Sequence, residues 1–257
     1  FYYKMFIHPR PFWKYIYEPF IRQSAGLGKA PSQKDNSQYE HFYAFYDLVI
    51  VGGGIAGLNA ALTAAESGLK ILIMEQTPEW GGRCLVDFSN IGNEASTEYV
   101  SRLLSELRNF QNVTMRSRMM GAGVYDHGYI LGYERLNDHL AADEGPRHRL
   151  WRIRAKQIIT ATGSIERPIS FPSNDIPGVM LASAVRDYAV NFGVATGNKI
   201  AVYTNNDDAY RTAITLNEVG VEVPIIVDAR GSGGGALAER AKALGIRVEN
   251  GKAISKV

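Results

Sequence analysis

The chain has 257 residues, 46% of them apolar and 21% charged, with a net charge of +2. This leaves room for one large or two smaller domains of ordinary globular composition and excludes a disordered or fibrous chain. So small a charge gives no field for nucleic acid or an anionic membrane, and a single cysteine excludes a disulfide framework and fits a reducing, cytoplasmic setting.

Residues 1–45 read as an aromatic-rich segment and linker. The run "FYYKMFIHPRPFWKYIYEPFIRQSAGLGKAP" is dense in rings and punctuated by Pro9, Pro11 and Pro19. It predicts a short helix around Trp13 to Ser24 that ends at Gly26 or Gly28. So many aromatics outside a periodic element fit a segment laid across a surface, of its own domain or of a partner protein. "SQKDNSQYEH" reads as a polar connection. A start at Phe1 and a close on "GIRVENGKAISKV" lead us to expect an internal piece of a longer polypeptide, and no signal-peptide pattern precedes the fold.

From Asp47 a βαβ unit begins. "DLVIVG" is continuously apolar, as a parallel strand covered on both faces should be. Ile55 to Ser67 has helical character with Gly68 as its cap, and "KILIME" is the second strand. The window Leu48 to Ala65 is long enough for a membrane span, but its glycines and Asn59 fit a strand, turn and helix instead. A helix is expected from Glu94 to Asn109 and a strand at "NVTMRSR". Then "VYDHGYILGYERL" and "RLWRIRAKQIITATG" alternate apolar and polar residues, which predicts antiparallel strands of a meander crossing over the sheet, with "QIITATGS" returning to the parallel strands. After "ERPISFPSNDIPGV" a second βαβαβ unit follows: "NKIAVYTN", "DDAYRTAITLNEVG", "VEVPIIVDA", "GGALAERAKALG" and "IRVENG". The expected fold is α/β: two Rossmann-like three-layer domains, the first over 46–168 with a β-meander crossover, the second over 169–257 and inserted in the first.

The chemistry concentrates in three motifs. Gly52 allows the tight turn out of the strand, Gly54 lets a pyrophosphate approach the backbone, and Gly57 lets the helix pack on the strand. Free N–H groups at the helix start suit a diphosphate. Glu75 ends the second strand, 18 residues after Gly57, where a carboxylate accepts from ribose hydroxyls and repels a 2′-phosphate. NADP is therefore disfavoured, while FAD and NAD both fit. The second motif, "EWGGRC", brings Gly81 and Gly82 just past that acid. The third, "TATGSIERP", is a strand end that passes close to a bound dinucleotide and exits toward the second unit.

This order of motifs resembles the glutathione-reductase type of two-dinucleotide-domain oxidoreductase. Dithiol enzymes of that type need two cysteines with four residues between them after the glycine pair. Here Cys84 has Ser89 at the partner position, so dithiol chemistry is excluded and Cys84 is read as a packed thiol. The second unit is altered too. "YTNNDDAYR" has no glycine, and Asn206, Asp207 and Asp208 put side chains and negative charge where a diphosphate would lie. Asp228 is kept. That unit is read as a nucleotide fold without its nucleotide.

Weaker clusters have bland readings. Arg152, Arg154 and Lys156 share one strand face with Trp151 and Ile153 on the other, which fits a solvated face better than nucleic acid. Asp126 and His127 fit an ordinary hairpin turn, and the five histidines show no metal-ligand spacing.

Taken together, "FYYKMF…PFWKYIYEPFIRQSAGLG", the glycine motif, "ATGSIERPISFPSNDIPGVMLASAVRDYAVNFGV", "VYTNNDDAYRTA" and "IVDAR" resemble the alpha subunit of heterotetrameric sarcosine oxidase over essentially the whole chain. The resemblance implies NAD at Gly52, Gly54, Ile55, Ala56, Gly57, Glu75 and Gln76, with Gly82, Arg83, Thr162 and Gly163 lining the same molecule. It implies no catalytic residue on this chain. A beta subunit, with gamma and delta subunits, would oxidise the small amine at FAD and pass electrons through FMN to oxygen. The products would be glycine, formaldehyde or methylene-tetrahydrofolate, and hydrogen peroxide. Tetrahydrofolate would act at a domain beyond Val257. Three alternatives stay open: the alpha subunit of an opine-, proline- or dimethylglycine-oxidising complex, a self-contained FAD-dependent NADH oxidoreductase, and a scaffold rigidified by its nucleotide.

Overall fold

We describe the protein from a computed structural model, which covers residues 8–29, 31–140 and 145–256. The first rings of the aromatic run, at residues 1–7, lie outside the described residues. The chain divides into two compact units, one of residues 1–39 with 137–148, the other of 40–136 with 149–257.

In the first of these the expected helix is present but wound in three pieces. They are α1 (Arg10–Phe12), a π-helical turn (Trp13–Tyr17) and α2 (Glu18–Ser24). Pro19 has no N–H to close an α turn, and just ahead of it the Glu18 N–H reaches back to the Trp13 carbonyl. Gly26, at φ 69°, follows as the predicted stop. No described residue of these helices is buried; Tyr15 and Phe20 stand open. Tyr39 donates to Asp35 at 2.6 Å and stacks on His148 at 5.8 Å.

The larger unit is built on a six-stranded sheet in the order β5-β2-β1-β8-β7-β6. Strand β1 (Gln38–Val51) leads into α3 (Ile55–Ala65) and β2 (Ile71–Met74). A short α4 (Cys84–Asp87) and a small hairpin, β3 (Asn90–Ile91) and β4 (Glu94–Ala95), precede α5 (Ser96–Leu107) and β5 (Val113–Arg116). Strands β6 (Met119–Tyr125) and β7 (Tyr129–Arg135) form the hairpin, and β8 (Pro146–Thr160) completes the sheet. Strands β1, β2 and β5 are parallel. Partners between β1 and β8 keep a constant offset, with Glu40 bonded to Arg149 and Tyr43 to Arg152, each 109 residues apart, so these strands are parallel as well.

Two expectations are corrected here. The stretch from Gln38 onward is not a connection but the first half of β1, because its aromatic alternation, paired along β8, outweighs its polar flank. The meander strand and the returning strand are one element, β8, long enough to serve both ends of the sheet.

A bulge explains how β1 does this. The N–H groups of Asp47 and Leu48 both donate to the Lys70 carbonyl, at 2.9 and 3.2 Å. Two residues thus face one, and the side-chain alternation reverses across them. Before the bulge Ala44 and Tyr46 point to the core shared by Trp151, Ile153 and Met119. After it Val49 and Val51 take that face, while Leu48 and Ile50 pack under α3 and α5 with Leu58 and Leu103.

Beyond β8 the helix α6 (Ala182–Phe192), which no helical pattern in the sequence marks, leads into β9 (Val202–Thr204), α7 (Asp208–Glu218), β10 (Ile225–Asp228), α8 (Gly235–Ala243) and β11 (Arg247–Asn250). The three strands form a parallel sheet, and Tyr210, Ile214, Leu216 and Ile226 fill its core with Val185 of α6. No helix among the described residues is long and apolar enough to cross a membrane.

Candidate dinucleotide site

The three sequence motifs converge at the carboxyl ends of β1, β2 and β8. Gly52 leaves β1 at φ 110°, and a Cβ there would stand 2.3 Å from the Ala161 carbonyl oxygen. A Cβ on Gly57 would meet the Gly52 carbonyl oxygen at 1.9 Å, so only glycine lets α3 start this close to the turn. Gly54 differs. It is extended (φ −73°) and a Cβ there would meet nothing within 4 Å. The side of the loop that a pyrophosphate would approach is therefore open. No side chain caps α3, which leaves its first N–H groups for an anion.

The second motif lies along the first. The Gly81 N–H donates to the Gly53 carbonyl at 2.9 Å, and a Cβ on Gly82 would stand 3.2 Å from the Gly54 Cα. Trp80 packs over Gly53. Ala161 N–H donates to the Val51 carbonyl at 2.8 Å, which sets Thr162 and the open Gly163 beside the same loop.

Glu75 is 7% exposed. Its Oε2 accepts from the Gly53 N–H at 2.8 Å, and Oε1 accepts from both the N–H and the hydroxyl of Thr77 at 2.8 Å. The carboxylate is thus fixed by three donors and carries its charge at the edge of the glycine loop. Thr77 and Trp80 were missed from sequence; the short "EQTPEW" spacing after a strand-ending acid was the available signal. Ile55 and Ala56 lie at the start of α3 beside these groups. Two expected residues also bond outside the loop. Gln76 is exposed and its carbonyl accepts from Arg135 at 3.0 Å. Arg83 forms ion pairs with Asp87 at 3.1 Å and Asp187 at 3.0 Å, so in this arrangement its guanidinium serves α4 and α6.

The second nucleotide unit presents the opposite picture. Asn206 Oδ1 accepts from the N–H groups of Asp208 at 3.0 Å and Ala209 at 3.4 Å, filling the start of α7. Arg230 folds back onto Asp228 and Asp207, both at 2.7 Å, and Asp207 also accepts from the Gly234 N–H at 2.9 Å. The start of α7 and the end of β10 are thus bonded by the chain's own side chains. Asp228 is fully buried and accepts from Tyr210 at 2.9 Å. Burial pushes its carboxyl up, but Arg230 and Tyr210 outweigh this and hold it below its ordinary value; burial and Asp228 push the Tyr210 phenol up to about 12. Because the folded value of Asp228 lies below the unfolded 3.8, its stabilisation is complete above that pH and is lost as pH falls through the folded value. Asp228→Asn should therefore flatten the acid limb of a pH–stability curve below about pH 4, and an unchanged limb would assign it to other carboxylates.

Residues 46–257 match the pyridine nucleotide-disulphide oxidoreductase family. The chain belongs to that family. Within these pyridine nucleotide-disulphide oxidoreductases, 100% of the chain is similar, at 40% identity, to the alpha subunit of the sarcosine oxidase of Rhizobium meliloti (strain 1021), of which it covers 27%. An opine oxidase subunit of Agrobacterium tumefaciens (strain Ach5) is 24% identical over 72% of the chain and 37% of that protein. Among solved structures, the L-proline dehydrogenase of P. horikoshii matches with a TM-score of 0.59 and 25% identity, over 73% of this chain and 36% of that one. The chain spans about a quarter of the length of the sarcosine oxidase subunits it resembles. Cys84 is half-buried, burial and then the charge of Asp87 push its thiol up, and Ser89 stands where a second sulfur would be needed.

Proposed function

We propose that this chain is the NAD-binding part of the alpha subunit of a multi-subunit flavoprotein amine oxidase that acts on sarcosine in the cytoplasm. One observation carries the reading: the first nucleotide unit is open at Gly54 and the start of α3, while the second is filled by Asn206, Asp207 and Arg230. A single nucleotide per chain follows, held at Gly52, Gly54, Ile55, Ala56, Gly57 and Glu75, with Gln76, Gly82, Arg83, Thr162 and Gly163 around it. The motif fits NAD and FAD alike, and NAD is preferred here because the resemblance to sarcosine oxidase alpha subunits implies it. The domain limits 46–168 and 169–257 belong to this proposal.

In this reading the amine is oxidised on a beta subunit carrying FAD, with FMN near its boundary with alpha and gamma and delta subunits completing the complex. Tetrahydrofolate would be used by a domain outside these residues. The bound nucleotide supplies a hydride acceptor if it is redox-active and rigidity if it is not. The chain's own groups bind and orient it: α3 holds the diphosphate and Glu75 the ribose.

The test is to denature the purified complex and identify released nucleotides by mass spectrometry. NAD in one-to-one ratio with this chain is expected; FAD released from this chain alone would overturn the reading. Glu75→Gln keeps the shape but removes the charge. It should weaken nucleotide retention by about tenfold to a hundredfold in equilibrium dialysis, the size of one or two charge-assisted hydrogen bonds. A second reading, the alpha subunit of an opine- or proline-oxidising complex, is favoured only by the weaker similarity to the opine oxidase and to the proline dehydrogenase, and would show in the substrate the complex turns over.

A further inference from the structure

At the opposite end of the sheet from the glycine loop lies a cleft of about 390 Å³, lined by Phe45, Tyr46, Asp47, Lys70, Arg154 and Lys156. It sits at the starts of β2 and the inner half of β1, where an open α/β sheet does not hold its nucleotide. The cleft continues onto the outward face of β8. There Arg152, Arg154 and Lys156 alternate with the buried Trp151 and Ile153. Same-face residues on a strand are roughly 6.6 Å apart, so the three cations span about 13 Å in a line.

Their partners are informative. Lys156 pairs with Asp47 at 2.7 Å. Arg152 donates to the Tyr43 hydroxyl at 2.7 Å and lies over that ring, and Arg154 lies over Tyr129 while donating to the His127 carbonyl at 3.2 Å. Neither arginine forms an ion pair among the described residues. Lys70 covers Tyr46 at 4.8 Å. The rings between the cations are open: Tyr43 is 64% exposed and Phe45 72%. The bulge at Asp47 turns both rings outward to this face.

We propose that this cleft receives an extended acidic segment of a partner polypeptide. Carboxylates spaced along a strand would match the pitch of Arg152 and Arg154, which no carboxylate of the described residues holds, and an apolar side chain beside them would cover Phe45. A small anion could meet one cation but not the line. Charge complementarity of this kind sets register and association rate, and salt weakens it. The proposal rests on the reading of this chain as one member of a multi-subunit complex.

The test uses the assembled complex that contains this chain. Phe45→p-benzoylphenylalanine, irradiated in the complex, should cross-link to a partner peptide rich in Asp and Glu. The double variant Arg152→Glu and Arg154→Glu should dissociate from the partner on the order of tenfold faster at low salt, while Arg152→Lys with Arg154→Lys should restore the rate. Bound nucleotide per chain should be unchanged in both. Cross-links confined to this polypeptide or to a segment without acidic residues, or a dissociation rate indifferent to charge reversal in a complex that still holds NAD, overturn the proposal alone. Retention of a labelled oligothymidylate that charge reversal abolishes overturns it in favour of a nucleic-acid surface. A parent chain that purifies without partners overturns both this proposal and the reading on which it rests.

Discussion

Gly54→Ala should strip the nucleotide from a chain that still folds, whereas Gly57→Ala should cost the chain both. The two glycines stand three residues apart in one motif, yet their surroundings are opposite. A methyl on Gly57 would sit 1.9 Å from a backbone oxygen of the same turn, and neither atom is the end of a flexible side chain. The turn must open or α3 must move off the strand, at a cost of about 3 kcal/mol or more. A methyl on Gly54 meets no protein atom within 4 Å, and its backbone is already one that alanine adopts. The folded chain should lose less than about 1 kcal/mol, mostly from the poorer cap. The methyl occupies the space through which a pyrophosphate reaches the helix start. Denaturant unfolding and nucleotide content, measured on both variants, separate the effects. A Gly54→Ala chain that keeps its nucleotide would show that the open side of the loop is not the ligand's side.

Arg186→Ala should be among the most destabilising single changes outside the glycine loop. Arg186 is the largest charged side chain buried among the described residues, with no exposure at all. From α6 it bonds Asp208 of α7 at 2.7 Å and reaches Asp87 of α4 at 3.3 Å. Asp87 also takes Arg83, which in turn holds Asp187. The cluster therefore ties the segment after the first glycine pair to the helices of the second nucleotide unit. Removing its hub leaves two carboxylates facing each other across a hole. Breaking a buried ion pair costs about 3–5 kcal/mol. Asp208 is half exposed, so the lower end of that range applies. For a chain of this size that is a fall in melting temperature of roughly 6–10 °C. A variant melting within about 2 °C of the parent would show the network to be dispensable.

The sequence made the cofactor end of the molecule legible because glycine turns and a strand-ending acid are local signals. Gly52, Gly57 and Glu75 each answer to geometry set within a few residues or by one neighbouring strand. The Arg186 cluster was invisible because its partners are distant in sequence and each arginine and aspartate looks like surface. The helix α6 escaped for a related reason: "ASAVRDYAVNF" buries only Val185 and Arg186 of its own residues, too little to make an apolar stripe. The first half of β1 reads as a connection because its polar start, "SQKDNSQYEH", masks an inward alternation that is then reset at Asp47 by a single carbonyl, that of Lys70. The filled second site was half legible. The missing glycines were plain, but that Arg230 would fold back onto Asp228 and Asp207 depends on a contact that no spacing rule contains.

The bulge at Asp47 and Leu48 makes β1 a strand with two independent inside–outside codes. Residues 38–46 and 48–51 can each drift in sequence under the demands of their own side of the sheet, because the alternation is reset between them. Anyone transplanting the aromatic and basic tongue onto another parallel sheet would have to carry the two-against-one pairing with Lys70 as part of the graft. Cut on either side of it, the same side chains would arrive facing the wrong way.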